Sequence, residues 1–298
     1  MHAGSLVAMV LTALATAGLS PGDYRRTLID EGVPRDYWVH VPPSYNPSKP
    51  TPVVLLLHSA MTNGPMMERF CGMSEKADEA GFIAVYPNGT GTTPFIKLWN
   101  AGGVRGRATD DVAFLSRVLD DLETVIHVDP KRVYAAGMSL GGMMCYRLAA
   151  ELSDRIAAIA AVAGTMAIEE AHPKRPVPVL HIHGTKDGLV HYNGPGEDTP
   201  ANIKFASVDQ TIQTWTRING CLGPPVVDVL SHRAEDLEVR RAAYGAGANG
   251  AKVLLYTIEG GGHTWPGRPA RAFFLGESAK NLSANDVIWE FFEKHPME

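Results

Sequence analysis

Cysteine is scarce in this chain of 298 residues: Cys71, Cys145 and Cys221 are all it has. At most one intramolecular disulfide can form, which excludes a scaffold built on disulfides, and none of the three shows the C-x-x-C spacing of a structural zinc site. Cys145 falls on an expected buried helix, and all three read as small buried hydrophobes. Basic charge is also short. Lys and Arg number 27 against 32 Asp and Glu, a net charge of −5, with no basic block to track a phosphate backbone, so no nucleic-acid partner is expected. Hydrophobic residues at 45% and charged residues at 20% exclude a disordered chain.

Long apolar runs are missing as well, apart from Ser5 to Leu19. That run falls short of the roughly 20 residues a bilayer-spanning helix needs, so no integral membrane span is expected. It is followed by Ser20-Pro21-Gly22 and contains the small residues Ala15-Thr16-Ala17, the shape of a cleavable secretory signal peptide over residues 1–20. Its n-region offers only His2 and the terminal amine, yet the pattern points to a secreted rather than a cytoplasmic protein. Residues 21–298 read as one catalytic domain, since a single large α/β unit reaches this length. Nothing in the sequence sets an oligomeric state.

What the chain does have is a repeating alternation. Asp36–Val41 reads as an early strand. Pro52–His58 is a continuous apolar run ending in a polar residue, as for a strand buried on both faces of a parallel sheet. Phe82–Pro87, Val133–Gly137, Ile156–Val162, Val177–His183 and Lys252–Thr257 repeat it. Apolar residues at Val112, Leu115, Val118, Leu119, Leu122 and Ile126 predict an amphipathic helix over Asp111–Ile126, capped by Thr109 or Asp110. Further helices are predicted over Glu68–Ala80, Gly141–Leu152, Val208–Asn219 and Asn285–His295. Val226–Tyr244 reads as an antiparallel excursion near one sheet edge. Alternating strands and helices specify an α/β fold: a mostly parallel central sheet with helices on both faces.

Gly137-Met138-Ser139-Leu140-Gly141 matches G-x-S-x-G between an apolar strand and a helical pattern. A serine on so sharp a strand-to-helix turn needs glycine two residues to either side, because the backbone packs close there. The turn would aim the Leu140 amide at a developing oxyanion. A serine hydroxyl needs a base, and the base needs an orienting acid. In strand-turn-helix sites of this kind the acid follows the serine and the histidine comes last. Asp187, at the tip of the loop His183-Gly184-Thr185-Lys186-Asp187, is the best-placed acid, its rival role being a turn aspartate bonding its own backbone. His263 in Gly260-Gly-Gly-His263 is the expected base. His181 and His183 alternate along a strand and could suggest a metal, but with no third ligand a buried structural pair is favoured. The second oxyanion donor is expected from the loop after the first core strand, at the amide of Ser59 or Ala60. Trp99 and Trp265 could wall an acyl pocket beside Met138, or could equally be core aromatics.

With these residues on the page, together with Pro42-Pro-Ser-Tyr45, Tyr86-Pro-Asn-Gly89, Trp99-Asn-Ala-Gly102, Asp110-Asp-Val112, His181-Ile-His-Gly184, His263-Thr-Trp-Pro-Gly267 and Ser283–Trp289, the chain resembles the polyhydroxybutyrate depolymerase and feruloyl esterase group of α/β-hydrolases from about residue 24 onward. The resemblance implies the α/β-hydrolase fold, triad roles for Ser139, Asp187 and His263, and no metal or organic cofactor. It implies a small or polymeric ester as substrate: a polyhydroxyalkanoate-type polyester or a hydroxycinnamate ester. Acetyl esters of polysaccharide, acyl transfer on the same triad and a non-catalytic binding role are the alternatives. Two departures stand out. His58-Ser59 replaces the family's His-Gly, and no cysteine follows Asn219-Gly220-Cys221 to complete the family's usual disulfide.

Overall fold

The computed structural model describes residues 18–298 apart from 92, 94, 104–108, 231–235 and 246–251. In chain order the strands are β1 (Gly22–Asp30), β2 (Val33–Val41), β3 (Thr51–Leu57), β4 (Ile83–Pro87), β5 (Val128–Met138), β6 (Ile159–Val162), β7 (Val179–Gly184), β8 (Val226–Leu230), β9 (Val239–Tyr244) and β10 (Val253–Ile258). The helices are α1 (Gly64–Cys71), α2 (Met73–Ala80), α3 (Asp111–Glu123), α4 (Leu140–Glu151), α5 (Val208–Ile218) and α6 (Ala284–Glu293). The strands form one ten-stranded sheet in the order β1-β2-β4-β3-β5-β6-β7-β10-β9-β8. The central pairs from β4 to β10 are parallel, and both margins are antiparallel.

The apolar run at β3 is buried at every position because helices cover both faces. Val53, Leu55 and Leu57 point into the layer that holds Leu115, Leu119, Leu148 and Trp215. Val54 and Leu56 point into the opposite layer with Met67, Ala77, Ile288 and Phe292. Each of these aliphatic side chains contributes about 2–3 kcal/mol by leaving water. The period of two along the strand thus divides one residue run between two cores.

Several elements differ from their expected bounds. The polar stretch after the leader is β1, paired to β2 through a two-residue turn in which Glu31 and Gly32 have φ of 51° and 80°. A turn of that hand matches the twist of paired strands. The helix expected over Glu68–Ala80 is two helices, parted at Gly72 with φ of 66°, whose amide caps α1 on the Glu68 carbonyl. The left-handed backbone is what favours glycine there, and the Arg268 guanidinium packs directly over its Cα. Asp110 is the cap of α3, accepting the Ala113 amide at 2.9 Å. Asp111 instead accepts the Asn100 amide and a 2.6 Å bond from Arg35, whose guanidinium lies 3.5 Å from the Phe114 ring centre. Arg35 also bonds Asp30, so one buried cation ties the β1–β2 hairpin to α3. The antiparallel excursion is β8 and β9 at one edge. Residues 1–17 of the expected leader and part of the Thr92–Arg107 loop lie outside the described residues. Among the described residues, no helix is long and apolar enough to cross a membrane. Cys71, Cys145 and Cys221 are unbridged, the first two buried.

Candidate active site

The C-terminal ends of the parallel strands carry the site, as sheets of this topology require. Ser139 sits between β5 and α4 with φ of 56° and ψ of −121°, a strained conformation for a residue with a side chain. Backbone packing enforces it. A Cβ on Gly137 would lie 2.5 Å from the Gly141 carbonyl, and one on Gly141 would lie 2.1 Å from the Leu57 oxygen. The Ser139 amide donates to the Val162 carbonyl at 2.9 Å and its own carbonyl accepts from Met143, locking strand to helix.

Asp187 lies in the turn after β7 and His263 in the loop after β10, and they meet across the sheet's end. His263 Nδ1 and Asp187 Oδ2 are 2.8 Å apart. The other carboxylate oxygen accepts the Leu189 and Val190 amides at 2.8 and 2.9 Å. Both side chains are buried. Burial alone would push the Asp187 carboxyl up, but the hydrogen bonds from His183 and His263 outweigh it and hold the group well below the ordinary carboxylate range. The His263 amide donates to Leu275 at 2.6 Å, so the loop is also pinned from its far side. This backbone geometry answers the expected glycines: a Cβ on Gly184 would meet the Gly261 carbonyl at 2.2 Å.

The strap after β3 faces the elbow. His58 Nδ1 donates to the Ser59 carbonyl at 2.8 Å and its Nε2 accepts the Gly89 amide at 3.0 Å. Burial pushes the His58 pKa down to about 4, so the ring stays neutral and keeps both bonds. The Met61 amide is committed to Lys97 at 2.9 Å, while the Thr62 hydroxyl holds the Ser59 carbonyl at 2.8 Å.

Ser139, His263, Met138, Ser59 and Ala60 line one cavity of about 730 Å³. Its remaining wall is largely apolar, with Met61, Met66, Phe70, Leu189, Phe274 and Leu275, and Arg69 and Arg271 stand in its lining. The two tryptophans correct the pocket reading. Trp99 is fully buried, packs with its ring centre 4.7 Å from that of His58 and tilted by 34°, and donates its indole N–H to the His58 carbonyl at 3.0 Å. Trp265 is fully buried and donates to Asn285 at 2.8 Å. Each ring has a polar partner inside the core, so each supports a site loop from behind and lies off the cavity wall. The wall residues carry no motif. In the structure Phe274 of this wall is exposed by 63% and its neighbour Phe273 by 97%, where large apolar side chains are usually covered.

With the geometry in place, likeness to known proteins has a specific meaning. Residues 73–173, the stretch that holds the elbow, match the prolyl oligopeptidase family profile. NocK of Nocardia uniformis subsp. tsuyamanensis, which carries an esterase name, is 33% identical over 293 residues, covering 89% of this chain and 81% of its own. The chain belongs to the esterase group of the α/β-hydrolases. It is a serine carboxylic ester hydrolase. Feruloyl esterase C of Emericella nidulans is 28% identical, covering 92% of this chain and 90% of its own. Feruloyl esterase B of Piromyces equi is 32% identical over 76% of this chain, which spans 42% of that protein's length. Among solved structures, an acetyl xylan esterase from Aspergillus awamori superposes with a TM-score of 0.63 at 15% identity, covering 91% of this chain and 99% of that one. At that identity the likeness is one of fold.

Proposed function

We propose that this esterase cleaves esters through an acyl-enzyme at Ser139, with His263 as general base and Asp187 as its orienting acid. The observation that carries the reading is the 2.8 Å contact of His263 Nδ1 with a buried Asp187 carboxylate, on the wall of the cavity that also holds the strained Ser139. Asp187 keeps the imidazole proton on Nδ1, which leaves Nε2 free to take the serine proton and later return it to the leaving alcohol. In the unliganded protein such a base–nucleophile contact is often loose and tightens when substrate binds. The Leu140 amide at the start of α4 and the Ser59 and Ala60 amides are the proposed oxyanion donors, since the neighbouring Met61 amide is already bonded.

The acyl side is a hydroxycinnamate or a hydroxyalkanoate unit. A cavity walled by methionine, leucine and phenylalanine stabilises an extended apolar acyl group by area removed from water, and offers an acetyl group little to bury. Two relatives named feruloyl esterases support the first choice. Secretion through the leader at residues 1–20, and one catalytic domain over 21–298, belong to the same reading. The test is mass-spectrometric identification of acids released from polyhydroxybutyrate film, methyl ferulate and acetylated xylan, with Ser139→Ala as control. Release of acid from either of the first two by the wild type and from neither by the variant is expected. An unchanged rate in Ser139→Ala would overturn the nucleophile assignment, and release of acetate alone from acetylated xylan would overturn the acyl assignment.

A further inference from the structure

Behind Asp187 runs a line of buried polar groups that ester cleavage at Ser139 does not itself use: Tyr146 on α4, then His181 and His183 on β7. The Tyr146 hydroxyl is 2.7 Å from His181 Nδ1, His181 Nε2 is 3.1 Å from His183 Nδ1, and His183 Nε2 is 2.7 Å from the Val190 carbonyl. The same His183 nitrogen lies 3.4 Å from Asp187 Oδ2, the oxygen that faces His263. All three side chains are fully or almost fully buried.

The protons in this line have one consistent placement. A carbonyl only accepts, so His183 Nε2 carries a hydrogen. A neutral His183 then presents a lone pair at Nδ1, so His181 Nε2 must donate to it. His181 is left with a lone pair at Nδ1, which the Tyr146 hydroxyl fills. Every donor has an acceptor and both rings are neutral. A cationic His183 would instead force the His181 proton onto Nδ1 toward Tyr146, and the tyrosine O–H would lose its acceptor among the described residues. Burial independently pushes His181 well below the ordinary histidine range. The Asp187 carboxylate at 3.4 Å is the one charge facing His183 among these neighbours: Tyr192 meets His183 edge-on at 5.8 Å with its hydroxyl on Thr257, and Trp215 lies 5.8 Å from Tyr146.

We infer that Tyr146, His181 and His183 are a positioning chain for the triad: a one-way, uncharged series of donors that ends as a single N–H shared between the Val190 carbonyl and Asp187 Oδ2. The inference rests on the triad reading above. The shared N–H fixes the acid loop to β7 and holds the carboxylate's rotation, so that Oδ2 stays aimed at His263 Nδ1. Because the chain is neutral, the negative charge of Asp187 remains fully available to the imidazolium that forms in the transition state.

Nitrogen-15 NMR of histidine-labelled protein at about pH 7 should show His181 and His183 each with a hydrogen on Nε2 and none on Nδ1. In Tyr146→Phe the Val190 carbonyl still fixes the protons from the far end, so His181 should keep its hydrogen on Nε2 while its Nδ1 resonance shifts as the tyrosine donor is lost. His183→Phe keeps the ring's volume but removes the shared N–H. Its kcat should fall at least about 10-fold while KM stays within about 2-fold. His183→Gln, whose amide N–H reaches the same carbonyl, should recover most of that loss. An Nδ1–H on either ring of the wild type, a wild-type kcat in His183→Phe, or a glutamine variant no better than the phenylalanine one would each overturn the chain. If His183→Phe does not fold, the wild-type and Tyr146→Phe spectra decide. Stoichiometric labelling of Ser139 by a fluorophosphonate tests the triad reading separately, since it requires an activated serine and not the chain.

Discussion

The two halves of the site are held by different forces. Around Ser139 position is set by backbone contact: glycines at 137 and 141 allow approaches that no side chain would fit, and the Ser139 conformation follows from them. Around Asp187 and His263 position is set by side-chain hydrogen bonds, four of them on the one carboxylate counting the long contact from His183. Steric enforcement tolerates no added atom but is indifferent to protonation. A hydrogen-bonded half tolerates volume better and depends on where each proton sits.

The sharpest way to break that contrast is Asp187→Asn, which preserves shape and changes only the donor pattern. The amide oxygen would keep the Leu189 and Val190 amides, so its NH2 would face His263 Nδ1 and His183 Nε2. His263 would then have to accept at Nδ1 and carry its hydrogen on Nε2, the tautomer that cannot take the serine proton. A fall in kcat of about 10⁴-fold is expected, with the fold intact by circular dichroism. A loss of less than about 10-fold would mean that Asp187 is not the orienting acid.

The corresponding change on the steric half is Gly141→Ala. Its methyl would sit 2.1 Å from the Leu57 carbonyl oxygen and 2.6 Å from the carbon, so α4 must move away from the end of β3. That movement separates the Leu140 amide from the strap at Ser59 and Ala60. The expected cost is about 10²-fold in kcat, from misplaced oxyanion donors, together with a lowered melting temperature. Wild-type turnover and stability in Gly141→Ala would refute steric enforcement at the elbow.

The same division explains what could be read in the sequence. The elbow is local: strand, Gly-x-Ser-x-Gly and helix lie in one stretch, and each glycine has a steric reason to be there. The parallel core is legible for a related cause, since burial on both faces leaves the continuous apolar runs of β3 and β6. Asp187 and His263 were found by chain order and strand ends, but the bonds from His183 and the 189–190 amides depend on a turn's path that composition does not encode. Strand β1 was missed because it alternates at a half-exposed edge, with Arg25, Arg26 and Asp23 interrupting the apolar pattern. Trp99 and Trp265 were offered as pocket walls or core rings because a tryptophan beside a motif looks the same in either place. Only the partner of its indole N–H decides between them. The cavity wall of Met61, Met66, Phe70 and Phe274 is assembled from the loop after β3, helix α1 and the turn at Phe273–Leu275 far along the chain, and no spacing announces it.

The smallest effect expected is on stability, and it separates the two halves by pH. His58 beneath the strap and His181 behind the acid are both neutral and buried, with folded pKa values pushed down by loss of solvent, to about 4 for His58. An unfolded chain protonates both as pH drops below about 6.5, whereas the native protein takes up no proton there, so stability must fall with pH across this window. Between pH 7 and 5 His58 contributes a loss of about 2 kcal/mol, and His181 adds to it in the same direction. His40 runs the other way: burial lowers its pKa, but bonds to Asp23 and Asp78 outweigh that and raise it, so its contribution is largest in acid and offsets part of the loss. The Asp187 carboxyl, held low, adds nothing to the slope until pH falls below about 4. Urea unfolding at pH 7 and pH 5 measures the sum. His58→Asn keeps a donor toward the Ser59 carbonyl while removing the titrating ring, and should flatten the difference by about 2 kcal/mol. A pH difference in His58→Asn as large as that of the wild type would mean that the His58 ring accepts a proton in the folded state, and the neutral hydrogen-bond pattern assigned to the strap would fail.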